Sequence, residues 1–173
     1  MKKVFFTSGP RGSGKSEYVR KVSLCHPHVI VVSRDEIIMR HGGSTWMDPY
    51  SGMSEIVLEE IWGLVARAMV PDNERVHVLI DCWNWSSDDR KHLVQKAREV
   101  GADWVGCLQF FLSVERCIEW CRMKPELHGA HDASITDDHR AYYENAADIE
   151  SDGFDQVISV TPEEELTTLF LYE

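Results

Sequence analysis

The chain of 173 residues sets 18 Lys+Arg against 29 Asp+Glu, a formal net charge of −11, with 43% of its residues hydrophobic. That is enough apolar surface for one compact domain spanning residues 1–173 without disulfide or metal support, and it excludes a disordered tail protein. No apolar run approaches the roughly 18 residues of a membrane span, the Met1-Lys2-Lys3 opening is too short to read as a secretory signal, and the acidic balance disfavours indiscriminate clinging to nucleic acid or anionic lipid.

In chain order, Val4-Phe5-Phe6 reads as a short buried strand, followed by a glycine-punctuated turn from Ser8 to Gly14 and a helix from Lys15 to about Leu24. Val29 to Val32 is a second buried strand ending at the polar Ser33-Arg34-Asp35. Val57, Ile61, Leu64, Val65 and Ala68 recur at helical spacing, which predicts an amphipathic helix from Ser54 to Met69 with Ser54 as its cap. A third strand, Val76 to Ile80, stops at Asp81. Ser87-Asp88-Asp89 opens a helix to about Val100, Trp104 to Leu112 is a fourth strand, and Val114 to Arg122 is a further helix. Pro125 to Ser134 reads as the loosest stretch. Val157 to Val160 is a fifth strand, and Pro162 opens a last helix whose first turn carries Glu163-Glu164-Glu165. Strands apolar throughout and alternating with helices indicate an α/β fold: a doubly wound parallel sheet covered on both faces, with expected strand order 2-3-1-4-5.

The turn after the first strand carries the chemistry. Gly9-Pro10-Arg11-Gly12-Ser13-Gly14-Lys15-Ser16 matches G-x-x-x-x-G-K-[ST], placed between a strand and a helix as a phosphate loop requires. Its glycines let backbone N–H groups turn inward onto phosphate oxygens, and the helix N-terminus adds its positive dipole end. Lys15 is expected to bridge the outer phosphates of ATP or GTP and Ser16 to hold Mg²⁺.

Other residues are placed by the sheet. Asp35 follows the second strand, at the carboxyl edge where ligands of open α/β sheets gather, and suits the base that takes the proton of an attacking hydroxyl during phosphoryl transfer. A helix cap with a surface ion pair is the alternative reading of Arg34-Asp35. Asp81 ends an apolar strand as a Walker B carboxylate does, facing Mg²⁺ through water or Ser16, with Asn84 as an adjacent candidate; a plain turn aspartate is the alternative. Arg116, Arg122 and Lys124 gather positive charge in a region suited to a lid, with Arg122 favoured for neutralising transition-state charge. Trp83 and Trp85 flank Asn84, and Trp46 lies in a glycine-rich stretch; all three suit either base stacking or packing.

Cysteine usage points inward. The chain has five cysteines, an odd number, so reduced thiols and a cytoplasmic place are expected. Cys117 and Cys121 stand one helical turn apart ahead of His128 and His131, but zinc spacing is only half met and helical cysteines read as core.

The phosphate loop, the Arg34-Asp35 pair and Asp81-x-x-Asn84 followed by Asp89-Arg90 together resemble the kinase module of phage-type polynucleotide 5′-hydroxyl kinases, within the small P-loop kinases that include zeta-toxin-like enzymes. Gly153 to Ile158 is similar to that family's element leading into the last strand, near which adenine is held. The resemblance implies that Lys15 and Ser16 act on ATP and Mg²⁺, that Asp35 is the base for a nucleic-acid 5′-hydroxyl, and that Arg122 is a lid residue. It departs from the family at Ile38, where an arginine is usual, and at Lys124-Pro125-Glu126, where a second lid arginine is expected. Kinases of a small hydroxylated molecule or of a modified base in DNA, and an ATP-dependent switch without acceptor transfer, stand as alternatives, the first favoured by the negative charge.

Overall fold

The computed structural model describes residues 1–43, 52–70, 75–82, 84–123 and 132–162. Strand β1 (Lys2–Ser8) leads through the phosphate loop into α1 (Lys15–Cys25), and β2 (Val29–Ser33) runs directly into α2 (Arg34–Arg40). Helix α3 (Gly52–Met69), β3 (Val76–Asp81), α4 (Ser87–Glu99) and β4 (Trp104–Phe110) follow. Then come α5 (Val114–Arg122), α6 (Asp132–Asn145), a 3-10 turn over Ile149–Asp152, and β5 (Gln156–Val160).

The sheet has five strands in the order β2-β3-β1-β4-β5, every pairing parallel, as the sequence pattern predicts. Alternate side chains divide between its faces. Val4, Phe6, Val78 and Ile80 pack against Val57, Ile61 and Val65 of α3 and Leu93 and Ala97 of α4. Phe5, Leu79, Leu108 and Phe110 turn the other way, onto Tyr18, Val19 and Val22 of α1. With both faces covered, β1 and β3 are buried along nearly their whole length, which is why they read as unbroken apolar runs.

Several expectations are corrected. Ser54 lies inside α3, which begins at Gly52, and is not its cap. Strand β4 ends at Phe110 rather than Leu112, because Ser113 accepts from the Arg116 amide and starts α5. Helix α2 starts where only a polar strand end was expected; its cap is Ser33, whose hydroxyl accepts from the Glu36 amide at 3.4 Å. The stretch expected to be loose gives way at Asp132 to helix α6, which buries Ile135 and Tyr142, two turns apart on one face. The expected last helix and its three glutamates fall outside the described residues, as do Trp46, Trp83, Lys124, His128 and His131.

Candidate active site at the carboxyl edge of the sheet

Because all five strands run the same way, the ends of β1, β2 and β3 share one edge, and register places Ser33 opposite Asp81. The phosphate loop leaves β1 at that edge. Gly12 and Gly14 have φ of 77° and 87°, in the left-handed region that L side chains rarely adopt. Space excludes a side chain there as well: a Cβ on Gly12 would stand 2.5 Å from the Cys117 carbonyl oxygen, and one on Gly14 would stand 2.5 Å from the Trp120 ring. Helix α5 is therefore packed directly against the loop. Gly14 is the N-cap of α1 and contributes no capping side chain, so the positive end of the helix dipole opens into the loop. Lys15 curls over it, its ammonium donating to the carbonyls of Gly9 and Pro10 at 2.8 Å each.

Asp81 meets this loop from β3. Its Oδ1 accepts from the Thr7 hydroxyl at 2.6 Å, and its Oδ2 accepts from the Ser16 hydroxyl at 3.4 Å. A hydroxyl and a carboxylate side by side are oxygen donors of the hard kind that Mg²⁺ prefers, so these residues fit the ion expected of them. The glycine-lined, amide-rich turn likewise fits a polyphosphate.

Asp35 stands in the first turn of α2, with its side chain 52% exposed and paired to Arg34 at 3.1 Å. Loss of surrounding water raises its carboxyl above the ordinary value. Arg34 opposes the rise, Asp81 adds to it and Lys15 opposes it. Asp35 thus feels both the carboxylate and the ammonium of the phosphate site while its oxygens stay reachable.

Other expected site residues separate from this centre. Asn84 is buried, its amide donating to the Thr7 carbonyl at 2.6 Å, so it ties the end of β3 to the end of β1 instead of facing a ligand. Trp85 is half-buried and packs edge-on to Tyr142 at 6.2 Å, a packing contact and not an open stacking platform. Arg122 ends α5 exposed and pairs with Asp132 of α6, its Nε donating at 3.2 Å. Arg116 pairs with Glu119 and lies 5.7 Å from the Trp120 ring. Cys117 and Cys121 are buried between α5 and α6 beside Leu112 and Ile135, which is a core position. Asp89 and Arg90 are structural: Asp89 completes a capping box with Ser86, and the buried Arg90 binds Asp152 at 2.5 Å and the carbonyls of Trp85 and Asn145.

Sequence reasoning missed the contributions of α6. Arg11 of the loop pairs with Asp138 at 3.2 Å, and the Ser8 and Tyr142 hydroxyls hydrogen-bond at 2.8 Å beneath the loop. Burial pushes the Tyr142 phenol up to about 12, so it stays protonated. The spacing of Ile135, Tyr142 and Ala146 is the helical signal that could have revealed this element.

A phosphate loop on a 2-3-1-4-5 parallel sheet, with a strand-end carboxylate against its serine, defines a P-loop protein of kinase-like topology. The chain belongs to the AAA domain family AAA_33, whose model matches residues 4–145. Comparison with curated proteins returns no match. Among solved structures, a chain of "Structure of the Pnkp1/Rnl/Hen1 RNA repair complex" is similar with a TM-score of 0.69 at 23% identity, over 85% of this chain. This chain spans 46% of that longer one. A chain of "Structure of Pnkp1/Rnl/Hen1 complex" matches at 25% identity and TM-score 0.58, over 68% of this chain and 38% of that one. Shikimate kinase from Acinetobacter baumannii, in complex with shikimate, shares the fold at TM-score 0.57 and 12% identity, over 99% of this chain and 91% of its own. No helix among the described residues is long and apolar enough to cross a membrane.

Proposed function

We propose that the chain is an ATP-dependent kinase that moves the γ-phosphoryl group to a hydroxyl, foremost the 5′-hydroxyl of a DNA or RNA strand, within a single domain and in the cytoplasm. In this reading Gly9 to Ser16 hold the ATP phosphates, Ser16 and Asp81 hold Mg²⁺, and Lys15 and Arg122 neutralise charge on the phosphoryl group. Asp35 takes the acceptor's proton. Arg34 positions Asp35 and lines the acceptor side. The observation that carries the proposal is the place of Asp35: exposed, raised in proton affinity, and within electrostatic range of both Lys15 and Asp81. Mg²⁺ would supply charge neutralisation between the outer phosphates; the chain's own groups align the acceptor and remove its proton.

The polynucleotide assignment is supported by the motif resemblance and by the likeness to the RNA repair chain. A small hydroxylated molecule is the second reading, supported by the net charge of −11, which repels a long phosphate backbone, and by the shared fold with a shikimate kinase over nearly the whole length of both chains.

Labelled ATP decides among them. Oligonucleotides with a free 5′-hydroxyl should take up label, and Asp35→Asn should lower transfer about 10²–10⁴-fold. If oligonucleotides stay blank while small alcohols are labelled, the polynucleotide assignment falls. Phosphate release that survives Asp35→Asn with no acceptor labelled would leave only a switch.

A further inference from the structure

One arginine lies in the phosphate loop and another ends the helix packed on it, and both are held by acids of one helix. Arg11, inside the loop, faces Asp138 at 3.2 Å, and Arg122, at the end of the helix packed on that loop, faces Asp132. These acids stand on the helix whose Tyr142 hydrogen-bonds Ser8 at the root of the loop, so α6 is tied to the site independently of charge. Neither ion pair is sealed from solvent. Asp138 Oδ2 finds no hydrogen-bond partner among the described residues, so Arg11 is attracted to it by charge without an aligned bond. Arg122 grips Asp132 with two nitrogens, one on each carboxylate oxygen, but the side chains are 66% and 48% exposed, so water and salt screen the attraction. A polyphosphate offers a guanidinium more charge and more acceptor oxygens than one carboxylate does.

We infer that α6 is a carboxylate clasp that mimics phosphate: Asp132 and Asp138 hold Arg122 and Arg11, and a nucleotide's phosphates take the two guanidinium groups over in exchange. The clasp rests on the reading of Gly9 to Ser16 as a nucleotide loop. It sets affinity by competition, since each acid must surrender its arginine before the phosphates gain it. It also keeps two cations ordered beside a loop that carries its own lysine.

Adenosine, AMP, ADP and ATP titrated against the wild-type chain and against Asp132→Asn, Asp138→Asn and Asp137→Asn by calorimetry test this. Asp137 is the control: it stands on the same helix with the same charge, but pairs with the exposed Arg140. Asp132→Asn and Asp138→Asn should each tighten ATP binding about two- to fivefold, the size of one exposed ion pair. The gain should shrink through ADP and AMP and vanish for adenosine. In an Arg11→Met background, Asp138→Asn should change nothing. Equal gains from Asp137→Asn, equal gains for adenosine, or no gain from either clasp acid would overturn the clasp. Should Asp138→Asn fail to fold, exposed Asp132 carries the test alone. A wild-type chain that binds none of the four ligands removes the nucleotide reading as well; one that binds ATP with no response to either acid removes the clasp only.

Discussion

The Thr7 hydroxyl donates to Asp81 Oδ1 at 2.6 Å, joining the ends of two neighbouring strands through the carboxylate proposed to face Mg²⁺. With one oxygen fixed, Asp81 turns the other toward Ser16 at 3.4 Å. Thr7→Val keeps the shape and removes the donor. It should raise the Mg²⁺ concentration needed for half-maximal transfer and lower kcat about tenfold, with Thr7→Ser restoring both. Mg²⁺ titrations of the three forms check this; an unchanged requirement in Thr7→Val would remove the hydroxyl from the metal's surroundings.

The base role proposed for Asp35 requires the ionised carboxylate, and its carboxyl is raised, foremost by loss of water and further by Asp81. Activity should therefore fall with acid at a higher pH than an unperturbed aspartate would set. Arg34 pulls the value down, so Arg34→Met should move that limb of the kcat/KM profile to higher pH. Stability runs the opposite way. A carboxyl raised on folding favours its protonated form in the native state, so stability contributed at low pH is lost as pH climbs from the unfolded to the folded value. At neutral pH Asp35→Asn should lower transfer about 10²–10⁴-fold yet shift the denaturation midpoint upward.

Gly14→Ala meets two obstacles, the left-handed φ of 87° and the Trp120 ring 2.5 Å from the new Cβ. The backbone alone should cost about 1–2 kcal/mol. The ring adds to this, and Trp120→Leu in the same chain should return part of the loss while nucleotide affinity stays reduced. Thermal melting and calorimetry separate the two effects.

Arg90→Met should be the most destabilising of these changes, about 3–5 kcal/mol, because it leaves Asp152 buried without its counter-ion. Replacing both with apolar residues should recover much of the loss in urea unfolding. A small effect from Arg90→Met alone would show that water reaches Asp152.

Much of the fold was legible because parallel strands have an unmistakable apolar signature: Val76 to Ile80 is buried throughout, whereas Val29 to Val32, expected to be buried, is an edge strand that leaves Ile30 40% exposed. The loop was legible because its mechanism demands particular residues at fixed spacing. Helix α6 was not: Pro125 to Ser134 masked its start, and polar residues fill the turns between Ile135 and Tyr142. The role of Asn84 was hidden for another reason. A strand-end asparagine reads the same whether its amide binds a ligand or the carbonyl of Thr7, a residue 77 positions away along the chain.

Arg90 also marks where the protein can be cut. The family match closes at residue 145, while the guanidinium's counter-ion is Asp152 and the edge strand β5 begins at Gln156. A chain trimmed to the limit of its kinship would keep a cation in its interior with nothing to balance it, and would strip the neighbour from β4. Ancestry and self-sufficiency draw different borders here, and anyone transplanting this module should follow the second.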